Sequence, residues 1–379
     1  MKKLNMQHST LGILGGGQLG KMLLQKAADY NITSWVLDPD ENAPARFLCN
    51  NFIIGDFRNY DDVYAFGKQV DVLTIEIEQV NVDALDHLSS EGLIIHPHPS
   101  IIRLVQDKGL QKEFYQKHNI PSPSFRLINN KSELSSVEDF PVVLKQRTMG
   151  YDGKGVMVLK NKADVSAAFD QPALLEKMVD IKKEISVIVA RNASGQSMVY
   201  PAVEMEFNPE ANLVEYLFSP SDISEEQKTN AGAIAVKLAE LLDLTGILAV
   251  EMFIDQSGEV SVNEIAPRPH NSGHHTIEAN ITSQFEQLLR AIFDMPLGDA
   301  GSIHPSVMIN LLGEKGYEGE AVYEGIESVL SMRSVYVHLY GKKVTRPFRK
   351  MGHITVTGSD LKALRKIANE IKEVLKIKA

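Results

Sequence analysis

The chain has 379 residues and a formal net charge of −10. At roughly 150 residues per domain this length predicts two or three domains, and the acidic balance argues against a general nucleic-acid surface. The single cysteine, Cys49, excludes an internal disulfide framework and is typical of a reducing compartment. No stretch approaches the roughly 20 apolar residues of a membrane span, and no signal peptide is evident. We therefore expect a cytoplasmic protein without membrane contact.

Short apolar runs alternate with helix-compatible sequence over the first hundred residues. The predicted strands are residues 11–14, 34–37, 72–77 and 93–95. A helix is predicted at residues 18–30, and this alternation indicates a parallel sheet covered on both faces. Ligands of such sheets bind at the carboxyl ends of the strands. Those ends carry residues 15–17, Asp38 and Glu76.

The first candidate site is the glycine-rich segment GGGQLG at residues 15–20. It satisfies G-x-G-x-x-G between a strand and a helix, where backbone N–H groups and the helix dipole favour an anion. Asp38 lies close to where a dinucleotide-binding unit has its acidic residue, so an NAD-dependent dehydrogenase is one interpretation. A sugar phosphate fits the same anion site equally well. A tight turn that uses glycine only for packing is the third interpretation.

The second candidate is Lys145 with the loop TMGYDGKG at residues 148–155. Three glycines within residues 150–155 allow backbone amides to wrap a polyphosphate. Lys145 and Lys154 supply point charges for phosphate oxygens. The segment is not a Walker A sequence, because no G-K-[ST] opens a helix here. A β-hairpin turn with solvated lysines is the alternative.

The third candidate is a predicted β-hairpin that turns at residues 255–258. With Glu251 opposite Val262, Glu251 and Glu264 are diagonal neighbours on one face, roughly 7–8 Å apart at the backbone. Two carboxylates so close repel unless a proton or a cation lies between them, and magnesium held by two carboxylates plus substrate phosphates is the expected use. Asn263 points to the opposite face in this register unless the strand distorts. An exposed acidic sheet face is the alternative.

Basic residues and histidines follow the hairpin. Arg268 lies between two prolines that keep the chain extended, and a guanidinium beside a metal–phosphate centre suits a carboxylate or an acyl phosphate. His270, His274 and His275 do not complete a zinc set, because no cysteine or spaced histidine accompanies them. Basic residues are again dense between positions 342 and 350. In an acidic protein this density favours a phosphate anchor over a solvated turn.

Four motifs occur in a fixed order, namely GILGGGQLGKM, VVLKQRTMGYDGKG, VNEIAPRPHNSGHHT and FRKMGHITV. Together they resemble the N5-carboxyaminoimidazole ribonucleotide synthetase family over about residues 11–353. The resemblance implies the ATP-grasp fold, with α/β and α+β parts in three domains. These would be an N-terminal Rossmann-like (preATP-grasp) parallel-sheet domain at residues 1–106, a small central lid domain at residues 107–190, and a C-terminal domain at residues 191–379 that carries the metal site and a β-rich tail.

The resemblance also implies a reaction of purine biosynthesis. ATP phosphorylates bicarbonate to carboxyphosphate, and this intermediate, or CO2 released from it, carboxylates the exocyclic amine of 5-aminoimidazole ribonucleotide. The products are N5-carboxyaminoimidazole ribonucleotide, ADP and phosphate. The implied cofactors are ATP and Mg²⁺, for which Mn²⁺ can substitute. The implied partners are small molecules, with no nucleic acid, and the expected assembly is a homodimer.

The resemblance to the family also implies roles for individual residues. The ATP-binding residues implied are Arg103, Lys145, Gly150, Tyr151, Asp152, Gly153, Lys154, Gly155, Glu176, Lys177, Met178, Val179, Glu184, Asn263 and Glu264. Residues 176–179 would form the interdomain hinge that holds adenine, and Glu184 would bind the ribose. The implied magnesium ligands are Glu251 and Glu264. The implied substrate and carboxyphosphate residues are Gly17, Gln18, Glu76, Tyr151, Asp152, Arg268, Lys342, Arg349 and Lys350. Of these, Asp152, Arg268, Arg349 and Lys350 are expected to be catalytic.

Some positions depart from the family pattern, and other functions compete. Phe207 stands where a histidine is usual, His275 where a tryptophan is common, and Phe348 where a glycine is expected. Ala266 occupies the asparagine position of the E-x-N metal motif. A formate-dependent ATP-grasp formyltransferase is the nearest alternative, against which the Tyr-Asp pair at 151–152 argues. An NAD-dependent dehydrogenase leaves the glutamate hairpin unexplained, and a non-catalytic nucleotide-binding protein predicts no turnover.

Overall fold

The computed structural model describes residues 4–148, 150, 155–208, 210 and 212–379. The N-terminal part of these residues forms a five-stranded sheet in the order β3-β2-β1-β4-β5, and every pairing in it is parallel. The strands are β1 (Leu11–Leu14), β2 (Ser34–Asp38), β3 (Asn51–Ile54), β4 (Val72–Ile75) and β5 (Ile94–Ile95). The helices are α1 (Gln18–Asp29), α2 (Tyr60–Gly67), α3 (Val82–Ser90) and α4 (Pro99–Gln106).

This arrangement confirms the predicted parallel sheet. Every residue of the inner strands β1 and β4 is buried, which explains why they appear as continuous apolar runs. The edge strand β3 is only partly buried, and the sequence analysis did not predict it. Asn59 and Asn81 cap α2 and α3 by accepting backbone N–H groups of their first turns.

Helix α5 (Lys108–Lys117) connects the first sheet to a second, antiparallel one in the order β6-β9-β7-β8. Its strands are β6 (Phe125–Ile128), β7 (Val142–Gln146), β8 (Val156–Leu159) and β9 (Ala173–Lys177). Asp107 caps α5 by accepting the Gly109 N–H at 2.7 Å and also pairs with Arg147 at 2.7 Å. The start of α5 is therefore fixed to the loop that follows β7.

Most strands of the remaining described residues form a nine-stranded sheet in the order β15-β14-β10-β12-β13-β16-β21-β19, with β11 beside β10, while β17 pairs with β20 and β18 with β22 in two separate sheets. The strands of this region are β10 (Ile181–Arg191), β11 (Ser197–Val199), β12 (Val203–Asn208), β13 (Leu213–Ser219), β14 (Gly246–Asp255), β15 (Val260–Ala266), β16 (Ser306–Leu312), β17 (Gly319–Glu320), β18 (Val322–Glu324), β19 (Val335–Leu339), β20 (Val344–Thr345), β21 (Lys350–Thr357) and β22 (Lys376–Lys378). Its helices are α6 (Glu225–Leu241), α7 (Thr276–Ala279), α8 (Gln284–Ile292), α9 (Ile326–Leu330) and α10 (Leu361–Val374).

Strand β10 belongs to this large sheet, since it pairs along its length with β14. The predicted division assigns the same strand to the central domain at residues 107–190, whereas the four-stranded sheet ends at Lys177. Sheet pairing thus favours a boundary between β9 and β10. The domain limits at 106 and 190 themselves stay a prediction.

Helix contacts place the ends of the N-terminal sheet beside the large sheet. On α1, the Tyr30 hydroxyl donates to Glu286 of α8 at 2.7 Å, and the Lys21 ammonium donates to the Leu339 carbonyl of β19 at 2.8 Å. The glycine-rich turn before α1 therefore lies next to the C-terminal strands. Within the described residues, no helix has the length and apolar character that crossing a membrane requires.

Helix α6 provides a test of the core. Its apolar stripe is buried at Leu238, which is 0% exposed, but Leu241 at the helix end is 38% exposed. We expect Leu238→Ala to lower the free energy of unfolding by about 2–5 kcal/mol, because it leaves a cavity in the packed core. Leu241→Ala is the matched control and should change it by less than about 0.5 kcal/mol. Urea unfolding followed by circular dichroism measures both, and equal effects would contradict the packing described here.

Candidate active site

Strands β14 and β15 form the predicted hairpin with a different register. Glu251 pairs directly with Glu264, while the next residue, Met252, pairs with Val262. The ladder shifts at this point through a β-bulge, in which Asn263 is the extra residue. The predicted diagonal arrangement is therefore wrong, and the two glutamates stand opposite each other on one face.

The charges around this pair are unequal. Burial and, next, repulsion by Glu264 raise the pKa of Glu251, whose side chain is 15% exposed. The Lys108 ammonium pairs with Glu264 Oε2 and lowers the pKa of Glu264. His270 Nε2 lies 3.5 Å from Glu251 Oε1. Glu251 is therefore largely desolvated, and Glu264 is paired with an ammonium. Two opposed carboxyl groups of this kind are oxygen ligands that suit a hard divalent cation.

A second cluster of charges lies beside the hairpin. The Glu176 carboxylate is 3% exposed and forms ion pairs with two ammonium groups, Lys112 Nζ at 2.6 Å from Oε1 and Lys145 Nζ at 2.6 Å from Oε2. Lys145 also donates to Asn263 Oδ1 at 2.9 Å. The bulge thus turns Asn263 toward the lysine of β7 and links the four-stranded sheet to the hairpin. Because each buried charge has a partner, the cluster avoids the large cost of unpaired ions.

These residues enclose a narrow cleft between α5, the four-stranded sheet and the hairpin. Its lining residues are Lys108, Gln111, Lys112, Lys145, Leu174, Asn263 and Glu264. Of the residues predicted to bind ATP, the structure brings Lys145, Asn263 and Glu264 together here. Glu184 of β10 is close to Lys145, whose charge partly offsets the burial that raises the pKa of Glu184 to about 7. A cleft with three lysines over a carboxylate pair is suited to a metal-bound polyphosphate.

The predicted adenine hinge lies where the two sheets join. Lys177 ends β9, and Met178 and Val179 begin the connection to β10. Met178 is 42% exposed and Ile181 is 39% exposed, so apolar side chains are available at this junction for a flat ring. Glu176 differs from the other three hinge residues, because its carboxylate points into the lysine cluster.

The glycine-rich turn before α1 is occupied by carboxylates of the chain itself. Gly16 N–H donates to Asp38 Oδ2 at 2.6 Å, and Leu19 N–H donates to Glu76 Oε1 at 3.1 Å. A Cβ on Gly17 would lie 2.4 Å from Glu76 Oε1, so glycine is needed for this close approach. Amides that would hold a pyrophosphate face negative charge instead. The dehydrogenase interpretation is therefore wrong.

Basic residues from the C-terminal region approach Glu76 and Glu251. The charges of Arg268 and Lys342 lower the pKa of Glu76 against the stronger effect of burial, which raises it. Lys350 acts in the same direction on Glu251. Lys342 donates to the Lys350 carbonyl at 2.8 Å. Arg268 and Lys342 are therefore close to Glu76, and Lys350 is close to Glu251.

Three further positions in this region clarify the predicted roles. Arg268 also pairs with Glu78 at 2.8 Å, which fixes the guanidinium toward the N-terminal sheet. Burial lowers the pKa of Arg349, whose guanidinium donates to the Val344 carbonyl. Phe348 has φ of 62°, the left-handed region that glycine adopts without strain. This backbone conformation explains why the family pattern expects glycine there.

Other predicted residues lie apart from the cleft or fall outside the described part of the chain. Arg103 is half exposed and pairs with Asp83 and Asp86 of α3 at 2.8 and 2.6 Å. Its predicted contact with ATP phosphates is not supported by these partners. Gly150 and Gly155 are described, and Gly155 has φ of 75° with its carbonyl accepting the Gln146 N–H. The predictions for Tyr151, Asp152, Gly153 and Lys154 fall outside the described residues.

Lys108, Gln111 and Lys112 form a polar face of α5 that was not predicted from the sequence. Lys108 occupies the cleft five positions after Arg103, and Lys112 is 2% exposed. Gln111, between them, accepts the Ile265 N–H of the hairpin at 3.3 Å. A hydrophobic pattern assigns these polar residues to solvent. The available signal was their spacing, because positions i, i+3 and i+4 share one face of a helix.

The shared carboxylate of Glu176 generates a stability prediction. Glu176→Gln leaves the ammonium groups of Lys112 and Lys145 buried without a counter-charge, so we expect a loss of about 3–5 kcal/mol in the free energy of unfolding. Lys112→Met should cost much less, because it keeps the aliphatic stem and leaves Glu176 paired with Lys145. Guanidinium unfolding of both variants measures the difference. A smaller loss for Glu176→Gln than for Lys112→Met would refute the cluster.

The raised pKa of Glu184, about 7 in the folded protein, gives a pH prediction. The folded state binds this proton more tightly than the unfolded state, so stability falls as pH rises from about 4.5 to about 7. Glu184→Gln removes that fall. We expect its thermal midpoint to exceed that of the parent by a margin that grows up to pH 7 and then stays constant. Glu240→Gln on the exposed face of α6 is the control, and a pH-independent margin for Glu184→Gln would contradict the assignment.

Sequence comparisons agree with this geometry. Residues 8–106 match the ribonucleotide synthetase preATP-grasp domain, residues 113–285 the ATP-grasp domain, and residues 306–367 the phosphoribosylaminoimidazole carboxylase C-terminal domain. The chloroplastic phosphoribosylaminoimidazole carboxylase of Vigna aconitifolia is 38% identical over 366 residues, covering 93% of this chain and 65% of that protein. The chain likewise spans 65% of the length of the carboxylases of Saccharomyces cerevisiae and Candida albicans.

Solved structures match over nearly the whole chain. N5-carboxyaminoimidazole ribonucleotide synthetase from Thermotoga maritima superposes with a TM-score of 0.91 at 41% identity, covering 98% of this chain and 99% of that one. The Aspergillus clavatus N5-carboxyaminoimidazole synthase, in complex with ADP and 5-aminoimidazole ribonucleotide, superposes with a TM-score of 0.87 at 32% identity, covering 97% and 98%. The predicted ATP-grasp fold is confirmed, and the chain belongs to the N5-carboxyaminoimidazole ribonucleotide synthetase family.

Proposed function

We propose that this chain catalyses the ATP-dependent carboxylation of 5-aminoimidazole ribonucleotide by bicarbonate, giving N5-carboxyaminoimidazole ribonucleotide, ADP and phosphate. The observation that carries the proposal is the cleft lined by Lys108, Lys145, Asn263 and Glu264, in which Glu264 stands opposite Glu251 on the hairpin. The complex of the Aspergillus clavatus relative with ADP and 5-aminoimidazole ribonucleotide supports the same pair of ligands here.

Magnesium, or manganese in its place, fits the carboxylate pair. The bulge sets Glu251 and Glu264 opposite each other, and repulsion between them contributes to the raised pKa of Glu251. A divalent cation between the two groups would relieve that repulsion and attract phosphate oxygens. When bound, it would supply charge neutralisation for phosphoryl transfer.

The residues of the chain would act mainly by positioning. Lys145 is held by Glu176 and Asn263, so its ammonium is preorganised for phosphate oxygens without a cost at the moment of reaction. A bicarbonate oxygen attacks the γ-phosphorus, ADP leaves, and carboxyphosphate forms. The exocyclic amine then attacks the carboxyl carbon, the C–O bond to phosphate breaks, and phosphate departs.

The ribonucleotide would lie between the glycine-rich turn and the C-terminal basic residues. Glu76 is held at this turn by the Leu19 N–H, and Arg268 and Lys342 are close enough to affect its pKa. A carboxylate beside two cations suits an amine-bearing sugar phosphate, since it can accept an amine hydrogen while the cations hold anionic groups. Arg268 and Lys350 would also bind carboxyphosphate. Asp152 and Arg349 keep their predicted catalytic roles in this proposal.

A cytoplasmic location and a homodimer belong to the same proposal. The single cysteine, Cys49, supports a reducing compartment. The homodimer follows from the family resemblance alone. Sedimentation at several protein concentrations would test it, and a single monomeric species at micromolar concentration would remove it from the proposal.

The reaction is tested by ADP release with each substrate omitted in turn. We expect full turnover only when ATP, bicarbonate and 5-aminoimidazole ribonucleotide are all present. Glu264→Gln should lower kcat by about 100-fold or more, because it removes charge from the group that neutralises the transferred phosphoryl. The control is Glu240→Gln, an equivalent change on the exposed face of α6 that should keep parental activity.

Formate distinguishes the neighbouring activity. An ATP-grasp formyltransferase would release ADP with formate in place of bicarbonate, whereas the proposed enzyme should not. Turnover with formate, or near-parental activity of Glu264→Gln with bicarbonate, would overturn the proposal.

A further inference from the structure

A lysine side chain holds one of the two carboxylates that would bind the metal. The Lys108 ammonium pairs with Glu264 Oε2, and the two side chains are 21% and 42% exposed at the cleft. A divalent cation coordinated by Glu264 would share this carboxylate with the ammonium, and the two positive charges would repel each other at that distance. An ammonium in hydrogen-bond contact and a metal ion therefore compete for this carboxylate.

The other lysines of the cleft are fixed elsewhere. Lys112 and Lys145 share Glu176, and Lys145 has a second acceptor in Asn263. Lys108 differs from them because its ammonium pairs with Glu264, the proposed metal ligand. Its backbone is anchored, since its N–H donates to the Arg147 carbonyl at 2.8 Å, while four rotatable bonds let the ammonium swing.

We propose that Lys108 occupies the metal's place on Glu264 in the nucleotide-free protein and moves to phosphate oxygens when the metal enters with ATP. This inference rests on the proposed function, because it assumes that Glu264 is a metal ligand. Its consequence is that free metal binds weakly, and that the metal and the triphosphate bind as a pair. Every charge keeps a partner in this exchange. The ammonium moves from the Glu264 carboxylate to a phosphate, and the metal ion takes its place on the carboxylate.

The exchange can be measured without catalysis, because the binding of metal and the binding of nucleotide are thermodynamically linked. If ATP draws Lys108 away from Glu264, ATP must raise the affinity for metal by the same factor by which metal raises the affinity for ATP. A variant without the ammonium lacks the competitor. It should bind free metal more tightly and show a smaller gain when nucleotide is added.

The experiment titrates the full chain with Mn²⁺ and follows free Mn²⁺ by electron paramagnetic resonance, with and without a non-hydrolysable ATP analogue. For Lys108→Met we expect an affinity for free Mn²⁺ about tenfold higher than in the parent, and a smaller enhancement by the analogue. Lys145→Met is the matched control. It removes the same charge from the same cleft but not from contact with Glu264, so its effect on free Mn²⁺ should be clearly smaller.

The parent protein provides a test that needs no variant, because its affinity for Mn²⁺ should rise at least about tenfold with the analogue after correction for Mn²⁺ bound by the analogue in solution. Equal binding of free Mn²⁺ by the parent and Lys108→Met, both folded by circular dichroism, would overturn the exchange while leaving the proposed function intact. Absence of Mn²⁺ binding in every protein even with the analogue would overturn the metal site, and the proposed function with it.

Discussion

The structure depends on pairing Glu176 and Glu264 with lysines from other parts of the chain. Glu176 of the four-stranded sheet is buried between Lys112 of α5 and Lys145 of β7. Such a cluster costs several kcal/mol in desolvation for each ion, which only close partners can offset. Because the partners come from separate elements, the helix and the sheet cannot move apart without exposing an unpaired buried charge. The position of the small sheet over the hairpin is therefore set by electrostatics as much as by packing.

The bulge at Asn263 connects this charge cluster to the carboxylate pair. A regular ladder would turn Asn263 away from the Glu251 face, since side chains alternate along a strand. One extra residue sets Glu264 opposite Glu251 and lets Asn263 reach Lys145. The same distortion therefore creates the opposed carboxylate pair and the contact that holds Lys145. Bulges of this kind re-aim side chains next to functional sites at the cost of one ladder position.

The sequence predicted the fold to the extent that local patterns determine it. The buried runs of β1 and β4 and the order of the four motifs gave the parallel sheet and the family. The hairpin register was wrong because the bulge is stabilised by a tertiary contact, from Lys145 to Asn263, that no local pattern contains. Lys108 and Lys112 were missed because a polar helical face is indistinguishable from a solvated one until the partner carboxylates are located. Arg103 lies close to Lys108 in the sequence, yet its acidic partners are on α3.

The glycine-rich turn shows that the same local structure can have different partners for its backbone N–H groups. Its shape is that of a dinucleotide-binding turn, with a strand, three glycines and a helix N-terminus. It differs from a dinucleotide-binding turn in what its backbone N–H groups bind. The carboxylates of Asp38 and Glu76 accept the N–H groups of Gly16 and Leu19. Two carboxylates at this point repel a pyrophosphate, and burial keeps the pKa of each above its usual range. A partly desolvated acid beside Arg268 and Lys342 is suited to a substrate that brings an amine and an anion together. The difference from a dinucleotide-binding turn therefore lies in which acids reach it, not in the glycine spacing.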